Sequence, residues 1–331
     1  MTTLLAVLGD RLGIFKAMAS GDALTAPEWA SRLGLNERYT REWLGGMASA
    51  GYVEYDAASG RFRLPPEHVA AVAQEGGPVF FGGVYQMLPA FAGIIDQVTT
   101  AFRHGGGVKQ SEYSPEVWDG LDRFTNGWFE NFLLPVWIPA MPEVKAKLER
   151  GVQVADVGCG RGRALIKLAQ AFPNSRYTGF DVFEPTIERA TAIAQETGVG
   201  ELVSFQHLDV AKGLPKQFDV ITIFDVVHDA VDPLGLLKAI RQALPSGGSY
   251  VCLDINCSHN LDENSGPLGA MFHGFSVFYC MTTSLAWGGA GLGTLGFHEP
   301  KVRALCSEAG FAGVRLVEMD NPFNKLYEIT A

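Results

Sequence analysis

The residues best suited to chemistry lie in the stretch VADVGCGRGRALIKLA, Val154 to Ala169, where an apolar run meets a glycine-rich turn and an expected helix. Such a turn is typical of a site for a nucleotide-like ligand, because glycines let the backbone approach the ligand closely. A dinucleotide site needs G-x-G-x-x-G, but Arg163 stands where the third glycine would fall. The spacing is G-x-G-x-G instead, and Asp156 precedes it by two residues. A carboxylate there suits an ammonium group and opposes a pyrophosphate.

The elements around this turn predict how it is positioned. From residue 152 onward, strand-like apolar runs alternate with helical ones, and the last two runs, VRLVEM and KLYEITA, are joined only by DNPFN. Repeated βα units predict a doubly wound sheet, whereas so short a connection requires an antiparallel pair. We therefore expect an α/β fold with a mostly parallel seven-stranded sheet and a terminal antiparallel strand. Ligands of such sheets bind at the carboxyl ends of the strands.

The first 75 residues follow the order helix, helix, helix and hairpin, which predicts a mainly α winged-helix domain. Thr25 and Asn36 are the expected N-caps of the second and third helices, and YVEYDAASGRFRL is the expected hairpin. A winged helix can bind DNA, but this one has seven Lys or Arg against nine Asp or Glu. It therefore lacks the positive charge that DNA binding requires. We expect a packing or dimerisation role, with Trp43 facing the core.

Bulk properties exclude several other classes. The net charge of -10 opposes nucleic-acid binding, and no apolar run is long enough to span a membrane, since Asp10 and Arg11 interrupt the first one. Five scattered cysteines predict reduced thiols in a cytoplasmic protein. The histidines and cysteines are not at zinc-ligand spacing, so no metal site is expected. A serine-hydrolase elbow, G-x-S-x-G, is also missing.

The motif ADVGCGRG resembles the first motif of the class I S-adenosylmethionine-dependent methyltransferases, and the final hairpin matches their sheet. The likeness extends over residues 152–331. The winged helix and the helical segment after it are similar to those of bacterial small-molecule methyltransferases, in which the front module serves dimerisation and roofs the substrate pocket. The resemblance implies a homodimeric enzyme with three parts. These are a winged-helix domain at 1–75, a helical connector and substrate lid at 76–150, and an S-adenosylmethionine-binding domain at 151–331.

The resemblance also implies cofactor contacts at successive strand ends. Asp156 would hold the methionine ammonium group, Asp181 both ribose hydroxyls, and Asp209 the adenine amino group. Each aspartate alone has a second interpretation, as the cap of the following helix. The implied cofactor-binding residues are Asp156, Gly158, Gly160, Asp181, Val182, Phe183, Asp209, Val210 and Asp225.

Methyl transfer requires that the acceptor be aimed and, where it carries a proton, deprotonated. The base predicted for this step is His228 in FDVVHDAVDP, just after the fourth strand. Its position resembles that of the catalytic histidine of plant-type O-methyltransferases, which an aspartate follows, so Asp229 is expected to orient it. The alternative is that His228 only holds the following helix.

The acceptor is expected to meet the long excursion after the fifth strand, GPLGAMFHGFSVFYCMTTSLAWGGAGLGTLGFHE. This segment is rich in aromatic residues, methionine and glycine and almost free of charge. It therefore predicts either a pocket for an apolar, aromatic acceptor or a dimer or interdomain surface. The predicted acceptor residues are Tyr113, Trp128, His273, Phe278 and Tyr279.

The predicted function is S-adenosylmethionine-dependent transfer of a methyl group to an oxygen, nitrogen or activated carbon of an apolar small molecule. A second hypothesis is a protein that binds the cofactor without methyl transfer, either assisting a rearrangement or acting as a winged-helix sensor. A dinucleotide oxidoreductase is a third, which Arg163 and the reversed final strand oppose.

Overall fold

The computed structural model describes all residues from Met1 to Ala331 and divides into two compact units. The first unit comprises Met1–Ala92 and Ser114–Asn131, and the second comprises Gly93–Tyr113 and Phe132–Ala331. Residues 76–150 thus contribute to both units. Their assignment as a separate connector and lid stays a prediction.

The first unit is a winged-helix domain extended by two further helices, as the sequence predicts for residues 1–75. Strand β3 pairs antiparallel with both β1 and β2 and so forms the wing. The first of the three expected helices is two helices in the structure, because Gly13 adopts the left-handed conformation with φ of 67° and starts a second helix. The elements are α1 Thr2–Arg11, α2 Ile14–Met18, β1 Leu24–Thr25, α3 Ala26–Leu33, α4 Glu37–Ser49, β2 Glu54–Asp56, β3 Arg61–Arg63, α5 Pro66–Val72, α6 Gly82–Gly93 and α8 Glu116–Trp128.

The predicted helix caps of this unit are confirmed. Glu28 accepts a hydrogen bond from the backbone N–H of Thr25 at 2.8 Å, and the two residues form a capping box at the start of α3. Asn36 accepts from the backbone N–H of Arg38 at 3.0 Å and so caps α4. Both helices therefore begin where their caps predict.

Helix α4, the one that would read DNA in a winged helix, is anchored on its inner face. Trp43 is 4% exposed and donates its indole N–H to the carbonyl of Leu5 at 2.8 Å. On the outer face each arginine forms an ion pair with a glutamate of the same helix, namely Arg38–Glu42 and Arg41–Glu37. The expected core role of Trp43 is confirmed.

The second unit has the predicted α/β fold. Its seven strands follow the order β6-β5-β4-β7-β8-β10-β9, and only β10 runs in the direction opposite to the other six. The reversed strand is the last in the chain, but it lies between β8 and β9. The elements are α7 Ile95–His104, α9 Pro142–Arg150, β4 Gln153–Val157, α10 Arg163–Ala171, β5 Arg176–Asp181, α11 Glu184–Glu196, β6 Val203–His207, β7 Val220–Phe224, α12 Pro233–Ala243, β8 Ser249–Ile255, α13 Gly266–Phe275, α14 Met281–Leu285, α15 Glu299–Ala309, β9 Gly313–Val317 and β10 Asn324–Thr330.

The order of the strands fixes where a ligand can bind. The chain runs outward from β4 through β5 to β6 and then returns to the other side of β4 with β7, so the switch point lies at β4. Every residue of β8 is buried, which is typical of a central strand covered on both faces. The carboxyl ends of β4, β5, β7 and β8 therefore meet at one edge of the sheet. No helix of either unit has the length and apolar character needed to cross a membrane.

Candidate active site

The glycine turn after β4 has an open face. Gly158, Gly160 and Gly162 have φ of 67°, 50° and 74°, a conformation that residues with a Cβ rarely adopt. A Cβ added to Gly158 would lie 2.5 Å from Val226, whereas one added to Gly160 would meet nothing within 4 Å. Gly158 is therefore closed in by the protein, whereas the Cα of Gly160 faces open space that a ligand could fill.

Asp181, at the end of β5, ties this turn to the next loop. Its carboxylate accepts hydrogen bonds from the backbone N–H groups of Gly160 and Phe183, both at 2.9 Å. Burial raises the pKa of Asp181, and these two donors oppose that rise. The sequence predicts Asp181 as a ligand contact or as a cap of the following helix. Its support of the Gly160 turn is an additional role.

Asp156, on β4, is almost fully buried and accepts a hydrogen bond from the hydroxyl of Thr222 at 2.6 Å. Burial raises the pKa of Asp156 to about 7, while the Thr222 hydrogen bond lowers it and the charge of Asp181 adds to the rise. A cationic ligand group would stabilise the ionised form. The position and electrostatics therefore suit the ammonium group that the sequence assigns to Asp156.

The predicted adenine-side residues lie after β5 and β6. Asp209 accepts a hydrogen bond from the backbone N–H of Ala211 at 3.2 Å and forms an ion pair with Lys212 at 3.2 Å, so it performs the capping role that the sequence leaves open. Val210 is buried, and Val182 is exposed. Their contact with adenine stays a prediction.

Asp225, after β7, is the only non-glycine residue with positive φ, at 54°. Its two carboxylate oxygens accept hydrogen bonds from the side-chain amide of Asn324 at 2.8 and 3.0 Å. Burial and the nearby charge of Asp254 raise its pKa to about 8, although the charge of His228 lowers it. Strained backbone of this kind clusters at functional sites. The predicted cofactor contact of Asp225 stays a prediction.

His228 lies at the centre of a buried polar cluster. It is 2% exposed, and its Nδ1 lies 2.7 Å from Oδ1 of Asp254 on β8. The Nε2 atom lies 3.1 Å from Oδ1 of Asp229. Burial alone would lower the pKa of His228, but the two carboxylates raise it well above its usual value. Because Asp254 accepts from Nδ1, the neutral imidazole carries its lone pair on Nε2.

Asp254 is a second carboxylate on His228, one that the sequence analysis does not name, and orientation of the ring by Asp229 stays a prediction. Asp254 also accepts a hydrogen bond from the N–H of Ile255 at 2.8 Å and is 1% exposed. A signal for it exists in the sequence, because YVCLDIN places an aspartate at the end of a strand that neighbours the strand before His228. Asn324 gives no comparable signal, since it is at the start of the last strand.

The acceptor side of the second unit is aromatic. The hydroxyl of Tyr113 donates to the carbonyl of Phe278 at 2.6 Å, and its ring meets that of Tyr279 edge-on at 5.6 Å. Tyr113, Tyr279 and Cys280 are all buried. Tyr279 and Cys280 belong to a π-helical segment, Ser276–Cys280, which Tyr113 contacts, and such segments are common at functional sites.

Two further predicted acceptor residues have different surroundings. His273, on α13, has its side chain exposed to solvent. Trp128 belongs to the first unit, where it is 3% exposed and packs edge-on against Phe124, with the ring centroids 4.9 Å apart. Their contact with an acceptor stays a prediction.

The open sheet, its glycine turn and the aspartates at its strand ends define a class I methyltransferase domain. A model of a methyltransferase domain matches residues 148–283, and a model of the Rv2258c-like winged HTH domain matches residues 1–74. We therefore place the chain among the class I S-adenosylmethionine-dependent methyltransferases that carry an N-terminal winged-helix domain.

Known proteins similar to the chain agree with this placement. A ubiquinone biosynthesis O-methyltransferase of Pseudomonas syringae is 31% identical over 109 residues, which are 32% of this chain and 45% of that protein. The chain therefore spans about half the length of the curated relatives it matches. The human N-acetylserotonin methyltransferase, solved with S-adenosylmethionine, has a TM-score of 0.70 at 16% identity, covering 100% of this chain and 94% of that one. The mitomycin 7-O-methyltransferase MmcR has a TM-score of 0.70 at 18% identity, covering 99% and 94%.

The cofactor of this class, S-adenosylmethionine, fits the residues present. Gly160 leaves open space beside its Cα, Asp181 accepts the hydrogen bond of the Gly160 N–H, and Asp156 is close enough to feel the charge of Asp181. These residues would bind a ligand that carries ribose hydroxyls and an ammonium group. A pyrophosphate would meet two carboxylates instead.

Proposed function

We propose that the protein transfers the methyl group of S-adenosylmethionine to a hydroxyl oxygen of an apolar, aromatic small molecule in the cytoplasm. The observation that carries the proposal is the buried pair of His228 and Asp254, with 2.7 Å between Nδ1 and Oδ1. A general base is needed only where the acceptor carries a proton, as a hydroxyl does. The similar proteins named as O-methyltransferases support oxygen over nitrogen or carbon.

The residues of the site have distinct tasks in this reaction. Bound S-adenosylmethionine supplies an electrophilic methyl group on a sulfonium, which leaves as a neutral thioether. The Nε2 atom of His228 takes the proton of the acceptor hydroxyl while that oxygen forms its bond to the methyl carbon. Asp254 holds the imidazole in the required tautomer and stabilises its positive charge after proton transfer.

The aromatic wall formed by Tyr113 and Tyr279 supports the class of acceptor. Both side chains are buried and apolar except for their hydroxyls, and burial raises the pKa of each hydroxyl, so neither is a base at neutral pH. Flat rings pack well against such a wall, edge-on or stacked.

The test is methyl transfer by the purified full-length protein. It would be incubated with isotope-labelled S-adenosylmethionine and a panel of phenols, matched anilines and matched thiols, and the products would be analysed by mass spectrometry. Labelled methyl ethers formed in step with S-adenosylhomocysteine support the proposal. Cofactor binding without either product would favour the hypothesis of a protein that does not transfer methyl groups.

We further propose a homodimer formed through the winged-helix domain. Leu4, Leu8 and Leu12 are spaced by one helical turn on and after α1, and each is between 47% and 51% exposed. An exposed apolar stripe of this kind is typical of a self-association surface. Light scattering on the wild type and on a Leu4→Lys, Leu8→Lys variant tests this, with loss of the dimer expected for the variant.

A further inference from the structure

The loop that carries His228 begins at a residue with an unusual backbone conformation. Asp225 follows β7 directly and has φ of 54°, in the left-handed region that all other residues of the chain leave to glycine. Residues with a Cβ adopt this conformation rarely, so other contacts must stabilise it. The N–H of Asp225 donates to the carbonyl of Leu253 on β8 at 2.8 Å. The left-handed turn therefore directs the His228 loop toward the end of β8.

The side chain of Asp225 is held by a single amide. Nδ2 of Asn324 donates to both carboxylate oxygens of Asp225, at 2.8 and 3.0 Å. Asn324 is 2% exposed, and its own Oδ1 atom is buried and accepts no hydrogen bond. Buried polar atoms are rarely left without a partner, and each exception calls for an explanation. The contact of Nδ2 with Asp225 supplies one, because it fixes the orientation of the amide.

Asn324 is itself fixed by contacts on two sides. It pairs with Ile255 in the antiparallel register of β8 and β10, so it lies beside the residue that follows Asp254. Its N–H donates to Oδ1 of Asn321 at 3.2 Å, within the connection that joins β9 to β10. The donor of the contact therefore belongs to the sheet, whereas the acceptor, Asp225, belongs to a loop.

The loop between Asp225 and His228 is too short to absorb a change in direction. Only two residues separate them, and the first, Val226, lies against the glycine turn, since a Cβ added to Gly158 would be 2.5 Å from its side chain. The imidazole then lies with Nδ1 at 2.7 Å from Oδ1 of Asp254. A rotation of the backbone at Asp225 would therefore move Nδ1 away from Asp254.

We propose that Asn324 is a positioning residue for His228. By binding the carboxyl group of Asp225, it keeps the loop in the conformation from which the imidazole reaches Asp254. Asn324 makes no hydrogen bond to His228 and acts through Asp225 alone. The inference rests on the proposed role of His228 as the base. It holds for both protonation states of Nε2, because Nδ1 faces Asp254 in either state.

The first test observes the imidazole and requires no methyl transfer. Full-length protein with isotope-labelled histidine is studied by NMR at a pH where the His228 ring is neutral, and His228→Ala assigns the signals. The ring nitrogen shifts show which nitrogen carries the hydrogen. We expect it on Nδ1 in the wild type and a mixture of both tautomers in Asn324→Ala, because the ring is no longer fixed against Asp254. A ring that is unchanged in Asn324→Ala, or a wild type with the hydrogen on Nε2, would overturn the proposal, whatever the methyl-transfer assay finds.

The second test is a double-mutant cycle on turnover, with saturating cofactor and the phenol that the methyl-transfer assay identifies. Asn324→Ala should lower kcat about 10- to 100-fold, because a misplaced base loses most of its effect, while the Kd for S-adenosylmethionine changes less than about twofold. Asp225→Gly keeps the left-handed conformation without the carboxyl group and should lower kcat by a similar factor. The double variant should be no slower than either single variant, since both remove the same contact. Losses that multiply in the double variant would contradict the proposal.

Asn256→Ala is the matched control. Asn256 follows β8 and donates to the carbonyl of Asn321 at 3.3 Å, in the same connection, but it makes no hydrogen bond to Asp225. Its kcat and its histidine signals should equal those of the wild type. If Asn324→Ala does not fold, as judged by thermal unfolding, Asp225→Gly replaces it in the NMR test. Equal losses in Asn256→Ala and Asn324→Ala would overturn the proposal, because the connection as a whole would then be responsible.

Discussion

The candidate site at the carboxyl ends of the parallel strands has two parts that are built in different ways. We call the part after β4 and β5 the cofactor half and the part after β7 and β8 the acceptor half. On the cofactor half, after β4 and β5, the carboxylate of Asp181 contacts backbone, since it accepts hydrogen bonds from the N–H groups of Gly160 and Phe183. On the acceptor half, after β7 and β8, side chains contact side chains. The His228 ring lies against the carboxylate of Asp254.

This difference explains why one half is recognisable as a sequence motif and the other is not. Backbone that must approach a ligand in a left-handed conformation needs glycine at fixed spacing, so Gly158, Gly160 and Gly162 are visible as a motif. Side chains that meet across strands need no fixed spacing at all. The acceptor half, which contains the predicted base, is therefore the half with the weaker sequence motif.

The comparison predicts that a change on the acceptor half removes catalysis and leaves cofactor binding intact. His228→Ala should lower turnover about 100-fold or more, because the acceptor proton then has no base, while the affinity for S-adenosylmethionine stays within about twofold. Turnover is measured with labelled cofactor and affinity by calorimetry.

Asp254→Asn is the matched variant at the carboxylate that contacts Nδ1 of His228. It should also lower turnover strongly, since an amide can present its donor to Nδ1 and so favour the wrong tautomer. Near-normal turnover in both variants would leave His228 only a structural role. Thermal unfolding of each variant checks that the fold is retained.

A change on the cofactor half should do the reverse. Asp181→Ala removes the acceptor of two backbone hydrogen bonds and the predicted ribose contact. We expect S-adenosylmethionine binding to weaken by about 1.5–3 kcal/mol, or roughly 10- to 150-fold in Kd, with turnover at saturating cofactor much less affected. Unchanged affinity would remove Asp181 from the cofactor site.

A smaller effect is expected at Gly160, and the first unit offers a control. Gly160 and Gly13 have φ of 50° and 67°, and a Cβ at either position would meet nothing within 4 Å. Replacement by alanine should therefore cost each about 1–2 kcal/mol of folding stability through backbone strain alone. Only Gly160→Ala should also weaken cofactor binding, by roughly tenfold. Equal affinities in the two variants would show that the open face of Gly160 binds no cofactor.

The sequence predicts the fold well, because the fold depends on local patterns, and the glycine turn is visible for the same reason. Alternating apolar runs determine the strands, and the DNPFN connection determines that β10 is reversed. The break at Gly13 is missed because a single glycine within an amphipathic pattern does not reveal its φ. Asp254 and Cys280 are missed because their relation to His228 arises only from strand order and from the return of the long excursion to the sheet edge.

The smallest predicted effect concerns the pH dependence of the acceptor half. The groups that face His228 are Asp254 on β8, Asp229 and Asp225 after β7, and Cys280. Against the opposing effect of burial, the carboxylates of Asp254 and Asp229 raise the pKa of His228 well above 6.5. A base acts in its unprotonated form, so turnover should rise with pH as His228 loses its proton, with the midpoint above 6.5.

Asp229→Asn sharpens this prediction. It removes one of the carboxylates that favour the imidazolium, so the pKa of His228 falls and the rising limb of turnover against pH moves to lower pH by about one unit. Asp232→Asn is the control, because Asp232 caps α12 through the N–H of Gly235 at 2.8 Å and its loss should leave the limb in place. A limb that stays fixed in Asp229→Asn, or moves to higher pH, would show that the titrating group is not His228. In that case the acceptor half would resemble the cofactor half, with side chains that position a ligand and transfer no proton.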